Sequence, residues 1–256
     1  MKIIRLLAAA LLFFSLQSNG QNAASAPTSV AGTWMITTGN SREIKIISPT
    51  HVFLMSFYKD SLTHAAAGTY NIVGNKYTEY MQYDNIDRQG AKDFTFDYTV
   101  NQDSFIQKGD ITLPNGTTVS VNEHFARVKS DKQYNGPYVG TWNLLSSTET
   151  DQNGNKQFHT NAHYNCYQLV TSTHWMRIHF ANDYFARAME GTYTANGNTQ
   201  IAKVEHASFP TSGAMPIEVT LRFEENKMYE TGIVKDGNGK QISQFEDVFE
   251  RVPAQQ

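Results

Sequence analysis

The chain has 256 residues, of which 40% are hydrophobic and 18% are charged, and this composition excludes intrinsic disorder, collagen and a coiled coil. Its formal charge of −3 argues against a general nucleic-acid binder, because such proteins rely on Lys and Arg to neutralise phosphates. The single cysteine, Cys166, excludes an intramolecular disulfide and a cysteine zinc cluster, and we expect it to be a small buried residue.

The N-terminal segment has the features of a secretory signal. Lys2 and Arg5 precede an apolar run at residues 6–14, and a polar stretch follows at residues 15–21. The run is about half as long as the roughly twenty residues that a membrane-spanning helix needs. We expect residues 1–20 to be removed as a signal peptide, leaving a periplasmic or secreted protein with no integral membrane segment. An uncleaved N-terminal anchor is the alternative.

An internal repeat defines the domain organisation. The motif Gly-Thr-Trp at 32–34 recurs at 140–142, and Gly-Thr-Tyr at 68–70 recurs at 191–193. The ends of the two copies also match, at Phe125 and Arg127 in the first and Phe249 and Arg251 in the second. The repeat predicts two domains, residues 28–129 and 138–253, packed close together because the linker is short. The second copy has about fifteen extra residues, and its polar stretch at 150–161 predicts a longer loop.

Within each copy, apolar and polar residues alternate with a period of two between Gly-Asn and Asn-Gly turns, which indicates half-buried strands. The pattern predicts an all-β protein made of two tandem eight-stranded antiparallel up-and-down barrels. The strands predicted for the first copy are 32–38, 42–47, 50–58, 67–72, 76–83, 93–100, 103–111 and 117–127, and the second copy repeats them.

The first and last strands carry a resemblance to a known family. Each copy opens on a Gly-x-Trp strand and closes on a strand with an Arg, which pairs Trp34 with Arg127 and Trp142 with Arg251. This arrangement resembles the lipocalin and calycin superfamily, in which the Arg packs across the Trp and closes the barrel, a contact worth about 0.5 to 2 kcal/mol. More narrowly, residues 47–53 and 68–79 resemble a group of uncharacterised exported lipocalin-like proteins of Bacteroidota.

One strand of the first copy offers a candidate ligand site. By alternation, Tyr77, Glu79, Met81 and Tyr83 share one face. If this face points into the barrel, desolvation raises the pKa of Glu79, which could then act as a general acid, a general base or a ligand anchor. If the face points outward, Glu79 is a solvated charge, and the sequence favours this or another structural role.

The second copy offers a different candidate. Trp175, Arg177 and His179 share a strand face, and their first-copy counterparts are Val52, Leu54 and Ser56. This divergence predicts a polar ligand site in the second copy, with an anionic group held by Arg177, although an exposed face would show the same pattern.

The histidines do not predict a metal site. His159 and His163 lie on the predicted loop, where their spacing has no geometric meaning, and His174 and His179 face opposite sides of a strand. His51 and His174 occupy equivalent positions and favour a structural role at a turn. We expect neither a metal nor a cofactor.

Function is predicted less sharply than fold. No nucleophile elbow, phosphate loop or zinc motif is present, which lowers the expectation of an enzyme without excluding one. We expect the chain to bind a small hydrophobic or amphipathic ligand inside a barrel. The first copy has the aromatic side chains for such a cavity, although they could equally fill a core: Phe53, Phe57, Phe94, Phe96, Tyr98 and Phe105. The alternatives are a hydrolase or isomerase with Glu79 or a His at a barrel mouth, and an envelope or glycan-interaction module with an exposed aromatic patch that includes Trp175.

Overall fold

The computed structural model describes residues 29–85, 92–112, 116–129, 133–160, 164–181, 184–209 and 216–253. These residues form two closed antiparallel barrels in tandem, which confirms the predicted fold class. The predicted signal peptide at residues 1–20 lies outside the described residues. Within the described part of the chain, no helix has the length and apolar character needed to cross a membrane.

Barrel 1 is an eight-stranded meander whose strands follow the predicted ranges closely, except that β4 begins six residues earlier than expected. The strands are β1 (Gly32–Thr38), β2 (Ser41–Ile47), β3 (His51–Tyr58), β4 (Ser61–Val73), β5 (Lys76–Asp84), β6 (Lys92–Val100), β7 (Ser104–Thr112) and β8 (Thr118–Arg127). Each strand pairs with the next, and β1 closes the ring on β8 at Trp34 and Met35.

Barrel 2 repeats this meander with one additional strand. Its strands are β9 (Gly140–Asp151), β10 (Lys156–Thr160), β11 (Tyr164–Val170), β12 (His174–Ala181), β13 (Tyr184–Asn196), β14 (Thr199–Ala207), β15 (Pro216–Glu224), β16 (Lys227–Lys235) and β17 (Gln241–Arg251). The ring of eight runs from β9 through β11 to β17 and closes between β17 and β9.

The prediction of a loop at residues 150–161 is wrong for its second half, which forms β10. Pairing between β9 and β11 ends at Asn143, although β9 itself continues to Asp151. The hairpin strand β10 pairs with this extension from Ser146 to Thr150, so it occupies a backbone edge that would otherwise be exposed.

Both barrels are closed at one end by an Arg stacked on a Trp. The Arg127 guanidinium lies 4.0 Å from the ring centroid of Trp34, and that of Arg251 lies 4.1 Å from the ring centroid of Trp142. The glycine of the Gly-x-Trp motif is required here. Gly32 has a φ of 142°, and a Cβ atom at this position would collide with the guanidinium of Arg127.

The two barrels pack against each other through the outer faces of β2–β4 and β11–β13. Phe53 and Phe57, which were predicted among the cavity-lining rings, lie instead in this interface. Buried apolar side chains from both barrels form one cluster: Ile44, Ile46, Phe53, Met55, Phe57, Ala65 and Ala67 from barrel 1, and Leu169, Met176, Ile178, Phe180 and Ala188 from barrel 2.

This interface has a pseudo-twofold symmetry that follows from the repeat. The Thr33 hydroxyl lies 3.0 Å from that of Thr171, and the Ser48 hydroxyl lies 2.7 Å from that of Thr141. Thr33 and Thr141 occupy equivalent positions, as do Ser48 and Thr171. The two contacts are therefore related by exchange of the two barrels. A self-complementary interface of this kind is typical of a twofold dimer.

Candidate functional site

Side chains fill the interior of barrel 1. The Phe105 ring is central: its centroid lies 5.4 Å from that of Tyr77, 5.7 Å from that of Trp34 and 6.0 Å from that of Phe125. Several large side chains there have under 2% of their surface exposed: Trp34, Tyr77, Phe96, Phe105 and Phe125. Interdigitated rings of this kind produce the close packing of an ordinary protein core.

A buried ion pair lies among these rings. The Lys45 Nζ donates to Glu79 Oε1 at 3.0 Å and to Gln107 Oε1 at 3.1 Å, and Lys45 and Glu79 are 1% and 2% exposed. Burial lowers the pKa of Lys45, but the carboxylates of Glu79, Glu43 and Glu123 outweigh burial and raise it overall. Glu79 thus points into barrel 1, where it neutralises a buried cation.

Tyr83 does not share the inward face of Tyr77, and that part of the sequence prediction is wrong. The β4–β5 register shifts between Ala67 and Gly68, which inserts a bulge into β5. Because a bulge reverses the side to which the following residues point, Tyr83 packs outside barrel 1, with its ring centroid 3.8 Å from that of Phe180 in barrel 2.

Barrel 2 differs because it encloses a cavity of about 240 Å³. The apolar part of the cavity wall includes Leu144, Val170, Trp175, Ile217, Val219 and Phe245. Polar side chains also line the cavity, and they include Gln168, Arg177, His179, Arg187, Glu230 and Asp247. The cavity therefore combines an apolar wall with a large set of polar and charged side chains, more than a small-molecule site usually has.

Most donors of the Arg177 guanidinium are used within the protein. It donates to Asp247 Oδ2 at 3.0 Å from Nη1, to Glu230 Oε1 at 2.8 Å from Nη2, and to Gln168 Oε1 at 2.7 Å from Nε. Burial raises the pKa of both carboxyls, and the Arg177 charge opposes that effect. The geometry therefore does not support the predicted role of Arg177 in holding an anionic ligand group.

Trp175 and His179, the other two residues predicted on this face, also line the cavity. Trp175 is 7% exposed, and its indole Nε1 donates to the Thr192 carbonyl at 3.2 Å. The prediction that Trp175 contributes to an exposed aromatic patch is therefore wrong. Its ring contributes to the cavity wall instead.

Cys166 and His179 form a close pair inside the cavity but not a reactive one. The Cys166 Sγ lies 3.8 Å from His179 Nε2. Burial raises the pKa of the Cys166 thiol to about 12, while burial together with the charges of Arg187 and Arg177 holds the pKa of His179 well below its ordinary value. A neutral thiol beside a neutral imidazole lacks the thiolate that nucleophilic catalysis requires.

The cavity lining includes one residue from the extra strand. His159 on β10 lines the cavity, and its ring centroid lies 5.0 Å from that of Tyr164. His163 lies outside the described residues. No three His, Cys, Asp or Glu side chains in the described ranges are grouped so that they could hold a metal ion.

Sequence reasoning missed Arg187 as a cavity residue. It lies on β13 directly opposite His179 on β12, and both side chains face the interior. Cross-strand pairing was the signal that could have found it, because a residue opposite an inward-facing residue also faces inward.

Comparison with known proteins adds little to this description. No protein family and no curated protein matches the chain. The chain is similar to a protein of unknown function from the DUF3598 family of Nostoc punctiforme, with 9% identity and a TM-score of 0.29 over 87% of this chain and 96% of that one. It is also similar to a mutant of the vaccine antigen transferrin-binding protein B from Haemophilus parasuis, with 8% identity and a TM-score of 0.29 over 82% of this chain and 65% of that one. Similarity at this level carries no information about function.

Proposed function

We propose that the chain is an exported tandem lipocalin-like protein that binds a small hydrophobic or amphipathic molecule inside barrel 2 and releases it unchanged. The observation that supports this proposal is the cavity of about 240 Å³, with apolar walls and polar groups at defined positions. Trp175 and His179 belong to the proposed site, together with Tyr164.

Barrel 1 has a supporting role in this proposal. Its interior is occupied by aromatic rings and by the Lys45–Glu79 pair, and its outer face supports β11–β13, whose inner faces line the cavity. Tyr77 and Glu79 lie in the packed interior of barrel 1, and Tyr83 lies at the interface. We therefore assign the ligand site to barrel 2 alone.

The lipocalin-like and exported parts of the proposal rest on the sequence. The duplicated Gly-x-Trp strand with its closing Arg supports the family resemblance, and residues 1–20 support export to the periplasm or beyond.

The test is native mass spectrometry of the mature protein purified from its own host. We expect a retained small molecule in the wild type and its loss in Val219→Phe. The equivalent position in barrel 1 is Phe96, so a barrel of this architecture can hold a phenyl ring at this position. In Val219→Phe the new ring should occupy the cavity without unfolding the barrel. Ile201→Phe is the matched control, because Ile201 lies on the outer surface of β14 and is 49% exposed.

A wild-type protein that retains no small molecule would contradict the proposal. A ligand retained equally by Val219→Phe and Ile201→Phe would place binding outside the cavity. Either result would remove the assigned role of barrel 2.

A further inference from the structure

The cavity contains two arginines that differ in how their donors are used. Four of the five N–H donors of the Arg177 guanidinium donate to Gln168, Glu230 or Asp247, which leaves at most one donor, on Nη1, for a ligand. Arg177 neutralises the two buried carboxylates and links Gln168, Glu230 and Asp247 through hydrogen bonds.

Arg187 is different. Its side chain lines the cavity, and its Nε atom is buried without a hydrogen-bond partner. No ion pair between described residues includes it, although its side chain is hydrogen-bonded to Tyr164 and its charge acts on Asp247 and His179. Arg187 therefore combines a positive charge, an unused donor and access to the cavity.

We propose that the ligand of barrel 2 carries a single anionic head group of the carboxylate class, and that Arg187 binds it at the cavity wall while the apolar part of the ligand fills the chamber. This inference rests on the proposed function. A guanidinium presents paired donors that match a carboxylate in a bidentate arrangement, and such charge-assisted hydrogen bonds are stronger than neutral ones.

A cationic head group is the competing class. Of the three carboxylates that line the cavity, Glu230 and Asp247 already pair with Arg177, which leaves Glu149. Among the described cavity residues, the buried atoms that could accept and have no hydrogen bond are His179 Nδ1, in one tautomer, and Asp247 Oδ1. The other oxygen of that carboxylate accepts from Arg177 at 3.0 Å, so an ammonium bound at Asp247 would lie close to a guanidinium. Arg187 adds a second positive charge to the same wall.

The experiment measures binding of three probes that share one apolar tail: octanoate, octanol and octylammonium. Titration calorimetry is carried out on the full mature chain as wild type, Arg187→Gln, Arg187→Lys and Arg222→Gln. The last is the control, because Arg222 is an exposed arginine of barrel 2 that pairs with Glu224.

We expect the wild type to bind octanoate about ten- to a hundredfold more tightly than octanol, which is the range for a hydrogen bond to a charged group. Arg187→Gln should remove this preference and leave the affinity for octanol unchanged. Arg187→Lys should retain part of the preference, and Arg222→Gln should retain all of it. Unchanged octanol binding by Arg187→Gln also shows that barrel 2 has folded.

Two kinds of failure can be told apart. Equal binding of octanoate and octanol by the wild type, a preference that survives Arg187→Gln, or tightest binding of octylammonium would overturn the head-group inference while leaving the cavity as a binding site. Binding of none of the three probes would remove the proposed function, and the inference with it.

Discussion

The two barrels have the same strand register and the same end closure, but different contents. On β6 and β7 of barrel 1 the inward-facing residues are Phe94, Phe96, Tyr98 and Phe105, whereas the equivalent residues on β15 and β16 of barrel 2 are Ile217, Val219, Leu221 and Met228. Exchanging rings for smaller aliphatic chains leaves space in barrel 2. One barrel architecture can therefore serve as a packed core or as a container, depending on where its rings lie, since barrel 2 has Trp175 and Phe245 where barrel 1 has Val52 and Val121.

The buried charges of the two barrels differ in the strand that supplies the cation but not in the positions of the acceptors on the last two strands. The cation of barrel 1 is Lys45 on β2, where barrel 2 has Gln168, and the cation of barrel 2 is Arg177 on β12, where barrel 1 has Leu54. The groups on the last two strands keep their positions and remain acceptors: Gln107 and Glu123 in barrel 1, and Glu230 and Asp247 in barrel 2. Each barrel retains a cation near buried acids, although a different strand supplies it.

The largest effect is expected from removing the cation of barrel 1. Lys45→Met leaves Glu79 buried without its partner, and breaking a buried pair in this way typically costs about 3 to 5 kcal/mol. Denaturant unfolding should show this loss of stability. Lys45→Met combined with Glu79→Met should recover most of it, because both charges are then replaced by apolar groups.

The corresponding change in barrel 2 should be milder. Gln168→Met removes one acceptor from Arg177 but leaves both carboxylates in place, so we expect a cost of about 1 to 3 kcal/mol. If Lys45→Met proved no more costly than Gln168→Met, the two clusters would not be the equivalent devices that the comparison suggests.

A second difference concerns pH. His51 packs between the barrels with its ring centroid 5.9 Å from that of Tyr167, and burial lowers its pKa to about 4. The unfolded chain takes up this proton near the ordinary value of about 6.5. Stability from the neutral imidazole is therefore complete above about pH 6.5 and is lost as the pH falls towards 4, by up to about 3 kcal/mol.

His51→Gln should make the stability less dependent on pH across this range, and unfolding measured at about pH 7 and about pH 5 checks it. His174 is the matched position in barrel 2. Its pKa is also lowered by burial, but the nearby Glu205 opposes the shift. His174→Gln should therefore change the pH dependence less than His51→Gln does, and the opposite order would contradict the assigned role of His51.

The alternation of residues predicted most of this fold because each strand has one face in the barrel and is bounded by a recognisable turn. The failures have local physical causes. Tyr83 follows a bulge, which alternation cannot detect, and β10 forms only because β9 extends beyond its pairing with β11.

The candidate site could be predicted less well, because its contacts cross the interior between strands that are not neighbours. Lys45 meets Glu79 from β2 to β5, and Arg177 meets Glu230 from β12 to β16. No spacing in the sequence specifies such pairs. The divergence of Trp175, Arg177 and His179 from their first-copy counterparts was the sequence signal that predicted a site in the second copy, and all three side chains line the cavity.

The smallest effect should distinguish the two closing arginines. The Arg127 guanidinium stacks on Trp34 and donates to the Ala31 carbonyl at 3.2 Å, and the Arg251 guanidinium stacks on Trp142 and donates to the Val139 carbonyl at 3.0 Å. The stacked contact is worth about 0.5 to 2 kcal/mol in each barrel.

The backbone around these arginines is not equally strong, however. In barrel 1 the closing strands pair at Trp34 and Met35, whereas in barrel 2 the ladder between β17 and β9 runs from Ser243 to Arg251. Arg127→Gln should therefore cost about 2 kcal/mol and speed hydrogen exchange along β1 and β8, while Arg251→Gln should cost about 1 kcal/mol and leave exchange along β9 and β17 nearly unchanged. Equal rates of hydrogen exchange along the closing strands of the two variants would contradict this expectation. They would mean that the short β1–β8 ladder does not depend on the Arg127 stack, and that the packed rings keep barrel 1 closed.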